Sequence, residues 1–588
     1  MRHFKNILAA LVVLLIVVGQ AGAVSKINPA MIDMGTVYYP VSTASDQGVA
    51  GNKNTINHFI DTTGTSEITL VLRNNSGSAT TTYTLTTNET IPERVTLQIE
   101  RGAVLDGAGT LTIESNLDIN RYQIFDVTFD VDFAVETPAN FEVFPEWWGA
   151  VPDDSTECSA AINAAILSLS TRGGIVRLGV GVYSLTSSIL TDQYITIKGE
   201  GYNSTVIHQD ANEHGITMGV AADGANVKFE GFQINCHFGG THTKNGIDLD
   251  GSGGSIRFTM RDVLIQNFKN GLYGDQIAYS IIEGFSRIVS PTQDAVHLVR
   301  TAANNTNITI QDLQVNSPGR DGVRIVEGTN IDIFGGFVDS CGGVGYYLDS
   351  VTNFSMTGGS AENVISHGIH ILGSGTGLNF TGTNLSTNGG DGIRIDDSNY
   401  INVFAPNITN STDNGIKNVA GGRIIVMNAQ ISSSGLRDID DAMGRLVVVD
   451  GNQSSDEDSL GLKGTAMFTF DYSDQATAGT WNSGVWLPSK FILTRAWYDV
   501  NTTFTDDATD ATTIALGLVT TTDILAAIAI SNGGNPWDDG QHNAIPRGDD
   551  PSTYVQNAVK QQLSVTVAGA ATLTAGKVTV FLEYVGSR

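Results

Sequence analysis

The sequence predicts an all-β protein built on a parallel β-helix, with a β-rich region before the helix and a β-sandwich after it. Three observations carry this reading. A short pattern recurs along the middle of the chain: Asn245-Gly-Ile-Asp-Leu-Asp250, Asn270-Gly-Leu-Tyr-Gly-Asp275, Asp294-Ala-Val-His-Leu-Val299, Asp321-Gly-Val-Arg-Ile-Val326, Val344-Gly-Tyr-Tyr-Leu-Asp349, His367-Gly-Ile-His-Ile-Leu372, Asp391-Gly-Ile-Arg-Ile-Asp396 and Asn414-Gly-Ile-Lys-Asn-Val419. Its second residues lie 23 to 27 positions apart, a period that marks a solenoid. Each repeat holds short apolar/polar alternations cut by Gly, Asn and Ser, such as Asn330-Ile-Asp-Ile-Phe334 and Ile401-Asn-Val-Phe404. Those are strands, since helical repeats need longer runs with a 3.6-residue period. The composition agrees: 66 Gly, only 13 Pro and 16% charged residues, with 41% hydrophobic residues to fill a core,.

In order along the chain, residues 1–23 read as an export signal. Arg2, His3 and Lys5 precede the apolar run Ile7 to Val18, and Ala21-Gly22-Ala23 follows as a cleavage pattern,. The run is too short to span a bilayer, which needs about 20 residues, so no stable membrane insertion is expected after cleavage. Residues 24–145 form a β-rich N-terminal region, with alternating strands at Ile68 to Leu72 and at Val95 to Ile99,. A helix is expected over about 157–171. Asp153, Asp154, Ser155 and Thr156 would supply its start, Ala161, Ile162, Ala165, Ile166 and Leu169 its buried stripe, and Gly173-Gly174 its end,. It suits a cap on the first coil, because an open β-helix end leaves unpaired backbone.

The β-helix region runs over 146–464. Three or so strands per repeat, stacked about 4.8 Å apart, leave room from Gly174 to Gly451 for roughly eleven or twelve coils. The apolar third and fifth residues of each repeat, such as Ile369 and Ile371, should point inward as ladders, and the residue between them outward. After Gly464 the repeat stops. Residues 465–588 hold Trp481, Trp486, Trp497 and Trp537 and alternating strands such as Lys577 to Tyr584, which read as a compact β-sandwich with a possible helix from Asp523 to Ile530.

The net charge of −29 excludes a nucleic-acid partner, which needs clustered Lys and Arg. Cys158, Cys236 and Cys341 are odd in number and match no zinc spacing, so they read as buried thiols,.

Residues 140–450 also resemble a known family. Phe144-Pro-Glu-Trp-Trp-Gly-Ala150, Asp153-Asp-Ser-Thr156, Gly173-Gly-Ile-Val176, Gly179-Val-Gly-Val-Tyr183, Ile195-Thr-Ile-Lys-Gly-Glu-Gly201 and Thr205-Val-Ile207 follow the order of the pectate-lyase-like right-handed β-helix superfamily. That superfamily includes pectate lyases, polygalacturonase and rhamnogalacturonase relatives, and phage tailspike depolymerases. The resemblance implies a right-handed helix and a polysaccharide partner. Tailspike relatives are commonly trimers, so it also implies a homotrimer. The polygalacturonase pattern is not intact: Arg394-Ile395-Asp396 and Asp396-Asp397 echo pieces of it, and no Gly-His-Gly occurs. The stretch Asn535 to His542 is similar to terminal modules of phage tail and virion proteins. Export to the extracellular space is thus the expected location, with a virion-associated protein as the alternative.

The outward residue of each repeat forms the row Asp248, Tyr273, His297, Arg324, Tyr347, His370, Arg394, Lys417. Tyr rings lie against sugar faces, and Arg and His hold hydroxyls or carboxylates, so Tyr273, His297, Arg324, Tyr347 and His370 are candidate substrate-binding residues. Asp339 and Glu362 fall one coil apart and cannot both ionise freely without a shared proton or a cation. Asp349 and Asp396 fall two coils apart. Three readings follow. Glycoside hydrolysis would draw its paired carboxylates from Asp339, Glu362, Asp391 and Asp396 and needs no cofactor. A lyase would need Ca²⁺, with Arg394 or Arg324 as base; the metal ligands are left unassigned. A fibre or adhesin would only bind. The negative charge repels an acidic glycan and so favours a neutral sugar and hydrolysis.

Overall fold

The computed structural model describes residues 36–586 apart from 44–45, 116, 135–140, 171–172, 192–193, 219–225, 251–254, 301–304, 437, 442–445, 450–452, 455–462, 488–490, 548–553, 558 and 560. The stretch 1–23, expected to be an export signal, lies outside the described residues. No helix among the described residues is long and apolar enough to cross a membrane. The chain forms two compact units, one ending at Asn120 and one from Arg121 onward.

The first unit is itself a short solenoid. Strand Ile68–Leu72 pairs in parallel with Val95–Ile99. Thr81–Thr84 pairs with Ala103–Asp106, and Glu89–Ile91 with Leu111–Ile113. The two alternating strands expected here are therefore successive coils. Helix α1 (Ile56–Thr63) was not expected. The Thr55 side chain accepts the His58 backbone N–H at 3.2 Å, and Ile56 and Ile60 are buried, an N-cap on one short apolar stripe.

In the second unit the parallel solenoid is present. Among the described residues, three parallel sheets run its length, with thirteen, thirteen and eleven strands. A typical coil comprises Gly328–Phe334 in the first sheet, Phe337–Asp339 in the second and Tyr346–Asp349 in the third. The interior column of the third sheet passes in register from Ile247 through Val323, Tyr346, Ile369 and Ile393 to Ile416 and Ile439, and none of these is more than 2% exposed. Burying a stacked column of this kind is the main gain of a coil that has no core of its own.

The corners explain the Gly, Asn and Ser of the repeat. After seven consecutive second-sheet strands, from Leu264–Gln266 to Asn407–Thr409, one residue turns left-handed: Asn267, Ser290, Ser317, Ser340, Asn363, Thr387 and Asn410 have φ between 51° and 62°. Asn in particular tolerates this conformation. The corner before the second sheet uses Asp312 and then Gly335 one coil on (φ +64°), where a Cβ would lie 2.3 Å from Asp312 Oδ1.

Helix α2 (Ser159–Leu167) is shorter than expected and begins later, because Asp153–Glu157 is a strand of the second sheet. The Asp153 carboxylate accepts the Ser155 and Thr156 N–H groups within its own strand, and Glu157 accepts the Ser159 N–H at 2.8 Å. Negative charge at the helix start thus comes from Glu157. The three cysteines are free and buried.

Beyond the solenoid lie two antiparallel sheets, one including Lys463–Asp471, Leu573–Gly586, Phe491–Asp506 and Gly540–Arg547, the other Gly479–Leu487, Gln561–Ala568, Thr513–Gly517 and Leu525–Ala529. They share a core that includes Phe470, Leu493, Trp537, Val565 and Val580. The helix expected at 523–530 is instead the edge strand Leu525–Ala529, paired with Thr513–Gly517. Asp523 accepts the N–H groups of Leu518, Val519 and Thr520, which closes the hairpin and overrides the helical propensity of the Ala pair.

Candidate functional site

The outward row of the third sheet is one column. Asp248, Tyr273, His297, Arg324, Tyr347, His370, Arg394 and Lys417 pair directly, each with the next. From Tyr273 onward the side chains are half-buried, and three neighbouring pairs touch. Tyr273 meets His297 edge to face at 5.5 Å, the Arg324 guanidinium lies 3.8 Å over the Tyr347 ring, and Tyr347 meets His370 edge to face at 5.6 Å. His370 Nε2 lies 2.9 Å from Asp396 Oδ2, and Arg394 Nε donates to Asp396 Oδ1 at 2.8 Å.

Beneath the column runs a buried polar ladder, formed by the first residue of each repeat. Asn270 Oδ1 accepts the Asp294 N–H, Asp294 Oδ1 that of Asp321, and Asp321 Oδ1 that of Val344. Further on, His367 Nδ1 accepts the Asp391 N–H at 2.9 Å and Asp391 Oδ1 the Asn414 N–H at 3.0 Å. Each side chain thereby satisfies a backbone donor of the next coil that would otherwise be buried unpaired.

The ladder's carboxylates draw cations down onto the sheet. Arg320 Nε donates to the fully buried Asp294 at 2.7 Å, and Arg324 to Asp321 at 2.9 Å. Arg394 faces Asp391 at 3.6 Å. These pairs hold Arg324 and Arg394 down over the sheet as anchors.

Burial pushes the His297 imidazole down to about 4; the Asp294 charge opposes this, and Arg320 and Arg324 add to it. Burial likewise pushes His367 down to about 4, in keeping with an Nδ1 that accepts a backbone N–H. Both rings are neutral at neutral pH. The Tyr273 hydroxyl is pushed up to about 12 by burial and by the charges of Asp275, Asp248 and Asp250, so it stays a neutral donor. Burial alone would raise the Asp396 carboxyl, but the His370 hydrogen bond and Arg394 outweigh it and hold it below its ordinary value.

The structure thus gathers Tyr273, His297, Arg324, Tyr347, His370, Arg394 and Asp396 on one face. Asp391 lies directly under that face and is fully buried; its Oδ2 has no hydrogen-bond partner among the described residues. Asp339 and Glu362 are in register with each other as expected, but on the second sheet rather than beside Arg394. There Asn363 donates to Asp339 at 2.9 Å and Asn384 to Glu362 at 3.3 Å. Sequence reasoning missed His367 and Arg320. The recurring Asn/Asp at the first position of the repeat was a signal for the ladder that holds His367. Nothing in the repeat marks Arg320, which sits in a corner.

Among the described residues, no group of three His, Cys, Asp or Glu side chains is placed to hold a metal ion. In the terminal sheets Trp537 is fully buried and donates Nε1–H to Ile528 O, and His542, in strand Gly540–Arg547, stacks on Tyr498.

No protein-family model matches the chain, and no curated protein does. Among solved structures it is similar to the catalytic unit of an α-1,3-glucanase from Streptomyces thermodiastaticus, at 16% identity over 55% of this chain and 71% of that one, with a TM-score of 0.39. It is similar to the A-module of a mannuronan C-5 epimerase from Azotobacter vinelandii, at 16% identity over 53% and 98%, with a TM-score of 0.42. It is also similar to the Dettilon tailspike protein, at 10% identity over 76% and 94%, with a TM-score of 0.41. The solenoid assignment rests on the strand register of this chain.

Proposed function

We propose that this protein is exported, binds an extended polysaccharide along the outward face of the third sheet and hydrolyses it. The observation that carries the reading is the in-register column from Tyr273 to Arg394, with one polar or aromatic side chain per coil. Coils repeat about every 4.8 Å, so a glycan lying along the column meets the same kind of contact again and again. The ring edges of Tyr347 and Tyr273 offer apolar contact, and the neutral His297 and anchored Arg324 offer hydrogen bonds.

For the chemistry, Asp396 is the ionised carboxylate, held by His370 and Arg394. Asp349 pairs with Leu372 on the next coil, and Asp396 follows one coil further on, just beyond strand Ile393–Ile395, a backbone spacing of about 9–10 Å. Inverting glycosidases hold their two carboxyl groups roughly 6.5–9.5 Å apart, a gap that side chains extending from that backbone spacing can span. Asp349 then serves as the acid and Asp396 as the base that activates water. Asp391 is a positioning residue for Arg394, since it cannot reach substrate. A second reading, binding without cleavage, is favoured by one observation: Asp396 already has two strong partners.

The test is a panel of neutral and uronate-containing polysaccharides incubated with purified protein. New reducing ends, lost by about a hundredfold or more in Asp396→Asn and Asp349→Asn while binding persists, support hydrolysis. Unsaturated uronate ends mark elimination and overturn the mechanism. Binding that Tyr347→Ala weakens, with no cleavage, selects the binding reading. No binding to any glycan sinks both.

A further inference from the structure

A second constellation lies on the outward face of the second sheet, near the start of the solenoid and apart from the column described above. His208 (strand Thr205–Gln209) and His237, just after strand Gln233–Cys236, are diagonal neighbours on adjacent coils: Gln209 pairs with Cys236 and His208 with Asn235. Their rings stack, with centroids 4.8 Å apart and planes 29° apart. Each ring is tied to its own carboxylate through the same nitrogen. His208 Nδ1 lies 2.6 Å from Asp154 Oδ1, and His237 Nδ1 lies 3.0 Å from Asp210 Oδ1. Asp210 is in turn held by the Ser184 hydroxyl, and Asp154 is placed for its contact by a left-handed backbone (φ 63°) within the irregular first strand of the sheet.

This arrangement fixes the tautomer. A carboxylate at Nδ1 takes the N–H there and leaves the lone pair on Nε2. Neither Nε2 has a partner among the described residues. Two stacked imidazoles, each with a carboxylate behind it and a lone pair in front, reproduce the outer-shell arrangement of histidines that ligate zinc, in which the carboxylate orients the ring and raises its basicity.

We propose that His208 and His237 bind one divalent transition-metal ion of the zinc or copper class through their Nε2 atoms, with water completing the coordination. Nitrogen ligands select such ions over Ca²⁺ and Mg²⁺, which need oxygen cages. Zn–N bonds of about 2.0–2.1 Å would set the two nitrogens roughly 3.3 Å apart. His237, 61% exposed, is free to make that adjustment. With two protein ligands the site is exchangeable rather than structural.

The test uses the full chain without a histidine tag, stripped with chelator and titrated calorimetrically with zinc chloride alone near neutral pH. One zinc ion per chain is expected. His208→Gln and His237→Gln should each weaken binding about tenfold or more, and Asp210→Asn about tenfold as the loss of an outer-shell partner. Zinc should raise the melting temperature of the wild type and not that of the His208→Gln/His237→Gln double variant. The His237→Gln single variant, whose ring is 61% exposed, should keep the zinc-free melting of the wild type, whereas His208 is half-buried and its replacement is read only in variants that remain folded. Calcium chloride should give no heat. Absence of zinc binding by the wild type, or undiminished binding by a folded double variant, overturns the proposal.

Discussion

Protonation of His297 is a perturbation whose size follows from its surroundings. Burial, with Arg320 and Arg324 adding to it against Asp294, pushes the folded imidazole down to about 4, whereas an unfolded histidine titrates near 6.5. Between those values the unfolded chain binds a proton that the folded chain does not. Stability is therefore intact above about pH 6.5 and falls as the pH drops toward 4. Linkage gives a loss of about 2 kcal/mol between about pH 7.5 and about pH 5 from this residue alone. His367 shifts in the same direction, with burial the main cause, and adds to the loss. Carboxylates with lowered values, such as Asp396, lose their contribution only at lower pH, because their stabilisation is complete above the unfolded value near 4. The assay is thermal melting of wild type and His297→Gln at both pH values, with hydrogen exchange in strand Val296–Val299 as a local readout, because repeat arrays need not unfold in one step. His297→Gln should remove about 2 kcal/mol of the acid-induced loss. An unchanged pH dependence in that variant would refute the neutral, buried histidine.

The ladder and the core offer two further tests. Asp391→Ala strips the acceptor from the Asn414 N–H and Nδ2–H, bonded at 3.0 and 2.7 Å, at about 1–3 kcal/mol per orphaned donor, while Asp391→Asn keeps an acceptor and should cost less. Equal losses of protection from hydrogen exchange in strand Ile416–Asn418 would show that charge, rather than the accepted N–H, sets the requirement. Ile369→Ala opens a hole in the third-sheet interior column and should cost about 2–5 kcal/mol; a melting shift equivalent to less than about 1 kcal/mol would contradict a packed column.

The repeat was legible because a solenoid writes its geometry into the sequence at fixed intervals. Each Ile of the third position returns to the same column, and each outward residue meets its counterpart one coil on, so Tyr347 beside His370 could be read from spacing alone. The first unit was harder, since its four-stranded parallel sheet returns at uneven intervals, with strands starting at Thr36, Ile68, Val95 and Leu117, and so shows no fixed period. The strand at Asp153–Glu157 and the edge strand Leu525–Ala529 were misjudged for a related reason: their local propensities favour caps and helix, and pairing with a distant strand decided otherwise.

Spacing assigned residues to columns, but it could not say which columns share a face. Asp339 and Glu362 obey the same register rule as Arg394 and yet belong to another sheet, because where each corner bends depends on left-handed residues such as Ser340 and Gly335. Nor could spacing separate an exposed carboxylate from a buried one. Asp391 and Asp396 stand five positions apart in one repeat; the first sits in the turn, where its oxygen must satisfy the next coil's backbone, and the second emerges at the strand end, where His370 and Arg394 meet it. The order along the chain determined the coil and its ladders, and only the packed corners decided which side chains face solvent together, since exposure depends on the path of neighbouring coils rather than on position within one.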